Sequence, residues 1–236
     1  MLTDLVDLDF DGNVELSSTI PDMFAMLSNL QSFDIDQNSF TGSLPASLFD
    51  AEEITSLDLD SNQITGSIPE DIGNLDKLTL LLLDKNQITG SIPEALGDVD
   101  DLTFVTLNDN QLTGPIPDSL ASHTNLVVLQ LHNNANQAGT QGIDGEIPTF
   151  FGDFQELELL SLFNTTISGE IPTELGRLQS LRNLFLHNTD LTGTMPQEIC
   201  DLRTEGMLGQ LTADCQGSNP KVVCPQPSCC TACFPG

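Results

Sequence analysis

The sequence predicts an α/β solenoid: a right-handed superhelix of about eight to nine repeats, with a concave parallel β-sheet and a disulfide-rich C-terminal cap. First, the 24-residue unit 54–77 is copied at residues 78–101 and 102–125. Second, each copy places apolar residues at positions one, four and six and an asparagine at position nine. Third, all six cysteines follow residue 199. One such unit cannot bury its own apolar face, so stability must come from stacked neighbours.

The pattern L-x-x-L-x-L-x-x-N is that of a leucine-rich repeat, in which one strand and a return segment form each unit. It recurs in this chain with starts near residues 5, 30, 54, 78, 102, 126, 157 and 181. Seven extra residues, 135–141, lengthen the sixth repeat, and we interpret them as a surface loop or part of a binding face. We assign residues 1–207 to the solenoid and residues 208–236 to a cysteine-rich cap, which a degenerate ninth strand opens.

The polar landmarks of each repeat predict a turn after the strand. The asparagine column is expected to bond buried backbone groups, with Thr165 and Thr189 replacing it late in the chain. The glycine column permits a left-handed backbone, and the prolines that follow it fix φ. The asparagines are Asn13, Asn38, Asn62, Asn86, Asn110 and Asn134, and the glycines are Gly42, Gly66, Gly90, Gly114, Gly145, Gly169 and Gly193. These columns are scaffold.

The charge balance limits the partners. With 35 acidic residues against 6 Lys and Arg, the formal net charge is −29. Nucleic acid and anionic membranes need basic patches, so both are disfavoured, whereas cations and basic proteins are favoured. No apolar run is long enough to span a bilayer, so we expect no membrane insertion. The absence of a signal peptide suggests a processed or partial chain.

The six cysteines predict disulfides formed in an oxidising compartment, because an even number is crowded into one tail. They are Cys200, Cys215, Cys224, Cys229, Cys230 and Cys233. Six cysteines allow 15 pairings, and the sequence does not choose among them. A zinc site is the weaker alternative, since the tail has no paired C-x-x-C knuckles and no histidine.

The motif L-T-G-x-I-P at residues 112–117, with close copies at 64–69 and 88–93, resembles the plant-type leucine-rich repeat. That family includes receptor-kinase ectodomains and polygalacturonase-inhibiting proteins, and the resemblance covers residues 5–205. The tail 211–234 is similar to the caps of secreted leucine-rich repeat proteins from diatoms and related algae. The plant N-terminal cap is absent, so we expect an uncovered apolar end. The resemblance implies a secreted or cell-surface protein, expected to be a monomer, whose concave face meets a protein or peptide.

Seven aspartates are expected to form one concave patch, since parallel strands lie about 4.8 Å apart. They are Asp9, Asp11, Asp34, Asp36, Asp58, Asp60 and Asp84. Neighbouring carboxylates at such distances repel by about 1 kcal/mol even in water. The patch predicts a partner with a basic surface, or weak Ca²⁺ binding at Asp34, Asp36, Asp58 and Asp60; a solvated acidic face is the bland alternative. The resemblance to polygalacturonase-inhibiting proteins gives the same four residues a contact role.

The C-terminal half of the concave face is expected to be apolar and aromatic. Its candidate contact residues are Phe104, Val128, His132, Leu159, Phe163, Phe185 and His187. They suggest a surface for a peptide, or for a sugar resting on Phe163 and Phe185, although the lack of Trp and Tyr disfavours a sugar. His132 and His187 are interpreted as surface residues, with a pH-sensitive contact as the alternative; they are about 10 Å apart and too distant for a shared metal. Asn164 begins an N-x-[ST] sequon and is the glycosylation candidate.

No catalytic motif is found, and the paired aspartates lie in an open row rather than an enclosed cleft, so we predict no enzyme and no cofactor beyond weakly bound Ca²⁺. The leading hypothesis is a secreted recognition module, acting as an enzyme inhibitor or a receptor-like ectodomain. An adhesion or matrix protein that requires divalent cations is the alternative. Ice binding by the threonine column, Thr41, Thr65, Thr89, Thr113 and Thr192, is a minor one.

Overall fold

The computed structural model describes residues 3–134, 142–218, 220–226 and 228–235. It forms the predicted solenoid around a parallel ten-stranded sheet, with strands in chain order. The strands are β1 Asp7–Asp9, β2 Ser32–Asp34, β3 Ser56–Asp58, β4 Leu80–Leu82, β5 Phe104–Thr106, β6 Val128–Gln130, β7 Leu159–Ser161, β8 Asn183–Phe185, β9 Gln210–Gln216 and β10 Ala232–Pro235. The seven-residue insertion predicted to be a binding loop lies outside the described residues.

The repeats stack in register, which determines what faces the core. Leu57 pairs with Leu81 and Leu81 with Val105, so the central residues of these strands form one buried row. Because side chains alternate along a strand, the residues on either side of that row point to the open concave face. The 24-residue period therefore converts distant positions in the sequence into adjacent positions on a surface.

The return segments are short 3-10 helices, and all but the first are entered through an extended proline, such as Pro69 at φ −79°. They are Phe24–Met26, Ala46–Asp50, Glu70–Asn74, Glu94–Asp98, Asp118–Ser122, Thr149–Asp153 and Thr173–Arg177, and the last return is an α-helix, α1, Gln197–Thr204. Short strands pair on the way to these returns: Thr41–Gly42 with Gln63–Ile64, Thr89–Gly90 with Gln111–Leu112, Gly114–Pro115 with Ile143–Asp144, and Ser168–Glu170, Asp190–Thr194 and Val222–Val223 in one sheet.

The asparagine column turns the chain as predicted. The Nδ2 of Asn86 donates to the carbonyl oxygens of Leu59 and Leu83, at 2.9 and 3.2 Å, and its Oδ1 accepts the Ile64 N–H at 2.9 Å. One buried amide thus ties two neighbouring repeats together. Gly66 follows at φ +82°, a left-handed conformation that side chains rarely adopt.

The N-terminal end of the solenoid is uncovered, as expected. Phe10, at a position that is buried in later repeats, is 47 % exposed, and the Asn13 that follows it is exposed as well. Leu8 is only half-buried, and an apolar cleft of about 370 Å³ opens between the first two repeats. Phe10 lines this cleft beside Phe33 and Ile35, so it faces the core side but stays exposed, because no repeat among the described residues packs on its outer side.

The cap continues the sheet and is held by three disulfides, Cys200–Cys229, Cys215–Cys233 and Cys224–Cys230. Strand β9 pairs with β8, and β10 pairs with β9. Cys200 lies in α1, before the boundary at residue 208, so its disulfide links the last repeat to the cap. No helix in the described part of the chain is long and apolar enough to cross a membrane.

Candidate functional site

An acidic patch, defined as the seven predicted aspartates, lies across β1 to β4 and the turns that follow these strands. The register places Asp9 beside Asp34 and Asp34 beside Asp58. Leu82 stands next to Asp58 and ends this inner row. Asp11, Asp36, Asp60 and Asp84 form an outer row two residues further along each strand. The structure thus brings all seven residues to one face.

Hydrogen bonds orient the inner row. The Oδ1 atom of Asp34 accepts the Asp36 N–H at 3.0 Å, and the Oδ1 of Asp58 accepts the Asp60 N–H at 3.2 Å. Asp9 makes the equivalent bond to the N–H of Asp11. Each inner carboxylate is therefore tied to its own turn, and the inner row is preorganised rather than loosely mobile.

The patch is electrostatically strained. Burial, reinforced by repulsion from Asp34, raises the pKa of Asp58 to about 7. Burial also raises the pKa of Asp34 and of Asp60 above the usual range. Lys85 is the cation that the described residues place against the patch, 3.2 Å from Asp84 and 3.8 Å from Asp60. Since one lysine faces seven carboxylates, the patch can gain from a positively charged partner.

This strain predicts a pH-dependent stability. A carboxyl whose pKa is raised in the folded state binds more protons there than in the unfolded state. The free energy of unfolding therefore falls as pH rises from about 4 to about 7. We expect Asp58→Asn to raise the free energy of unfolding by about 1 to 2 kcal/mol at pH 8, after discounting for partial exposure, and to change it little at pH 3. Urea unfolding at both pH values measures this difference.

The matched control is Asp50→Asn, because Asp50 is exposed in a convex 3-10 helix, away from the patch. A gain of the same size in this control, or an equal gain for Asp58→Asn at both pH values, would show that the patch does not strain the fold.

The patch does not present a preformed metal cluster. Among the described residues, the group of metal-ligand atoms lying close together consists of the sulfurs of Cys215, Cys224, Cys230 and Cys233, which are paired in disulfides. The carboxylates of Asp34, Asp36, Asp58 and Asp60 are spread over two strands and do not converge in this way. Calcium would have to gather these side chains, completing six to eight oxygen ligands with water.

A second feature, the ring strip, occupies the C-terminal part of the concave face. It consists of four stacked rings from β6, β7, β8 and β10: His132, Phe163, His187 and Phe234. Ring centroids are 4.2 Å apart for His132 and Phe163, 4.6 Å for Phe163 and His187, and 4.0 Å for His187 and Phe234. The rings of each pair are within 18° of parallel. Rings that follow β6, β7 and β8 thus form one continuous stack with Phe234 of β10, which reaches past β9 to His187.

Hydroxyl groups hold the two imidazoles in place. Nδ1 of His132 lies 2.9 Å from the Ser161 Oγ, and Nδ1 of His187 lies 2.7 Å from the Thr212 Oγ1. Burial lowers the pKa of both histidines, which favours their neutral form near neutral pH. Both rings are half-buried, so these surface residues are packed into the stack rather than free in solvent.

The stack also changes what Phe163 can offer a ligand. Its two faces are covered by His132 and His187, and Phe185 meets it edge-on at 6.4 Å and 89°. A sugar needs an open ring face, so the predicted sugar platform on Phe163 does not fit this geometry. The strip instead presents ring edges to solvent.

The other predicted contact residues border the strip. Phe104, Val128 and Leu159 pair in register on adjacent strands, and Phe104 is 38 % exposed. Asn164 does not stand alone: its Nδ2 donates to the Asn133 Oδ1 at 2.6 Å, and its Oδ1 accepts from the Asn188 Nδ2 at 2.8 Å. Any glycan on Asn164 would therefore have to be accommodated within a hydrogen-bonded row of amides.

Sequence reasoning missed three parts of this face. Phe234 joins the strip from the cap, which has no repeat register to reveal its position. The amide row continues to Asp109, whose Oδ1 accepts from the Asn133 Nδ2 at 2.7 Å. Asp214 is only 1 % exposed, and its carboxylate accepts the N–H groups of Asn188 and Thr189. Asp214 thus supports the turn of a repeat in which Thr189 replaces the asparagine of the column. This replacement is the feature of the sequence that could have indicated a substitute acceptor.

The comparisons with known proteins agree with the prediction of a leucine-rich repeat fold. A family model described as Leucine Rich Repeat matches residues 29–51, 53–75, 77–99, 101–123 and 180–202. No curated protein matches the sequence.

Among solved structures, a TDR receptor is 34 % identical with a TM-score of 0.80, over 90 % of this chain and 34 % of that one. The Arabidopsis receptor kinase HAESA, in complex with the peptide hormone IDA and the co-receptor SERK1, is 28 % identical with a TM-score of 0.80, over 90 % and 34 %. The chain therefore spans about a third of the length of these receptor chains. A plant ice-binding protein, 24 % identical with a TM-score of 0.63 over 93 % and 76 %, shares the fold.

Proposed function

Because the chain is a plant-type leucine-rich repeat protein similar to receptor-kinase ectodomains, we propose that it is a non-catalytic recognition module that binds a basic protein or peptide on its concave sheet. The acidic patch is the proposed primary contact. An inhibitor of a basic enzyme and a receptor-like ectodomain would both use this surface in the same way.

The observation that carries the proposal is the ordered crowding of seven carboxylates against a single lysine. Repulsion among these carboxylates lowers the stability of the fold, and a bound cationic ligand would offset that repulsion. An arginine is well suited to this role, because its planar fork can bridge carboxylates on adjacent strands.

The structural neighbours support a peptide ligand. The HAESA structure holds a peptide hormone, and this chain shares its fold over 90 % of its own length. A concave parallel sheet with regularly spaced rows suits an extended chain, which can place successive side chains against successive strands. The disulfides and these ectodomain neighbours favour a location outside the cell.

The proposal is tested with a synthetic peptide carrying Arg and Lys in a Gly–Ser background, and with its Glu-substituted counterpart. We expect the basic peptide to bind, and its affinity to fall about tenfold between low and physiological salt, because part of the attraction acts across solvent. Isothermal titration calorimetry measures this. Equal binding of the two peptides, or of neither, would contradict the proposal.

The two alternatives make different demands. A cation-dependent adhesion protein should release or absorb heat with Ca²⁺ alone and melt at a higher temperature in its presence. An ice-binding protein should show thermal hysteresis, although the hydroxyls of Thr89 and Thr113 donate to carbonyl oxygens of the preceding repeat, at 3.1 and 3.4 Å.

A further inference from the structure

The ring strip and the acidic patch share one sheet but differ in chemistry. The strip is uncharged near neutral pH, apolar at the edges of its two phenyl rings and held in place by stacking and by the Ser161 and Thr212 hydroxyls. The patch is anionic and lies on β1 to β4, at the opposite end of the same sheet. A ligand lying across both would meet two different environments in a fixed order.

The amide row borders the strip and suits a peptide backbone. It runs from Asn188 to Asn164 to Asn133 and ends on the Asp109 carboxylate, with donor–acceptor distances of 2.6 to 2.8 Å. Because the Asp109 carboxylate can only accept hydrogen bonds, each amide in the row must donate toward Asp109 and accept from any amide before it. Each amide uses one N–H within the row and has a second N–H, a donor of the kind that pairs with peptide carbonyls.

We infer that the ligand is an extended peptide with two segments, basic residues over β1–β4 and an uncharged segment with an aromatic or large apolar side chain over the ring strip. This inference rests on the proposed function. It follows from charge complementarity: cations are attracted to the patch, whereas burying a charge against the apolar ring edges would carry a desolvation cost.

The strand spacing sets the distance between the two segments. Asp60 follows β3 and Phe163 follows β7, so four strand spacings separate them, about 19 Å at about 4.8 Å each. An extended chain rises about 3.3 Å per residue, so about six residues span this distance. A shorter linker cannot join a basic residue over Asp60 to an aromatic residue beside Phe163, and a much longer linker loses affinity through its flexibility.

The experiment uses peptides that join an Arg–Lys pair to a single Phe through Gly–Ser linkers of about two, six and ten residues, with a basic peptide lacking Phe as the reference. We expect the six-residue linker to bind about tenfold more tightly than the reference, and the two-residue linker to bind no better than it. Affinity that does not depend on linker length would overturn the inference.

Phe163→Ala supplies the second arm. It should remove the advantage of the six-residue peptide and leave binding of the Phe-free peptide unchanged, which also reports that the variant is folded. If the Phe-free peptide binds wild type and Phe adds nothing, the two-segment inference fails while the basic-ligand proposal stands. If neither peptide binds, the proposed function fails first.

Discussion

Charge reversal at the centre of the acidic patch, Asp36→Lys with Asp60→Lys, is expected to weaken binding of a basic peptide by at least about 100-fold. Each reversal removes an attraction and adds a repulsion, so two reversals change the charge of the seven-aspartate patch from −7 to −3. Charges near contact interact by about 1 kcal/mol each at the dielectric of water, so the four changed interactions amount to at most about 4 kcal/mol, more than the roughly 2.7 kcal/mol that 100-fold requires. Calorimetric titration at low salt measures it.

The same double variant should keep or raise the melting temperature, because it relieves repulsion around Asp58 rather than breaking a core contact. Its control is Asp50→Lys with Asp118→Lys, which changes net charge equally on exposed convex turns. If this control weakens binding as much, overall charge rather than the patch attracts the peptide. Unaltered binding in the patch variant would remove the patch from the proposed function.

The repeat period explains why the acidic patch could be predicted and the ring strip only in part. Residues 24 positions apart in a regular solenoid become neighbours, so Asp34 and Asp58 could be placed together from the sequence alone. The same counting found Phe163 and His187. It could not give the stacking of their rings, which depends on side-chain rotation, nor the arrival of Phe234, which lies in a cap held by disulfides.

The disulfides of the cap also could be predicted only in part. The sequence predicted disulfides because of cysteine number and crowding, but six cysteines allow 15 pairings. Only the folded chain shows Cys200 in a helix facing Cys229. Asp214 holds the same strand position as the outer aspartates of the patch, yet it is buried, because the turn of the neighbouring repeat has Thr189 in the asparagine column and uses this carboxylate as an acceptor.

The asparagine column is where the scaffold should be most sensitive. We expect Asn86→Ala to reduce the free energy of unfolding by about 3 kcal/mol, because the Ile64 N–H then loses its buried acceptor. The carbonyls of Leu59 and Leu83 lose one bond each but keep a bond from the neighbouring column amides of Asn62 and Asn110, which limits the damage. Urea unfolding gives the difference.

Asn86→Thr is the matched control, because the chain itself uses threonine in this column. The Thr165 hydroxyl donates to the Leu162 carbonyl at 2.6 Å, so a threonine at position 86 should donate to the Leu83 carbonyl but leave the Ile64 N–H unpaired, and it should recover well under half of the loss. If alanine and threonine destabilise equally, the hydroxyl does not substitute for the amide. If neither destabilises, the column is not what joins the repeats, and the registered rows of the concave face must be held by leucine packing alone.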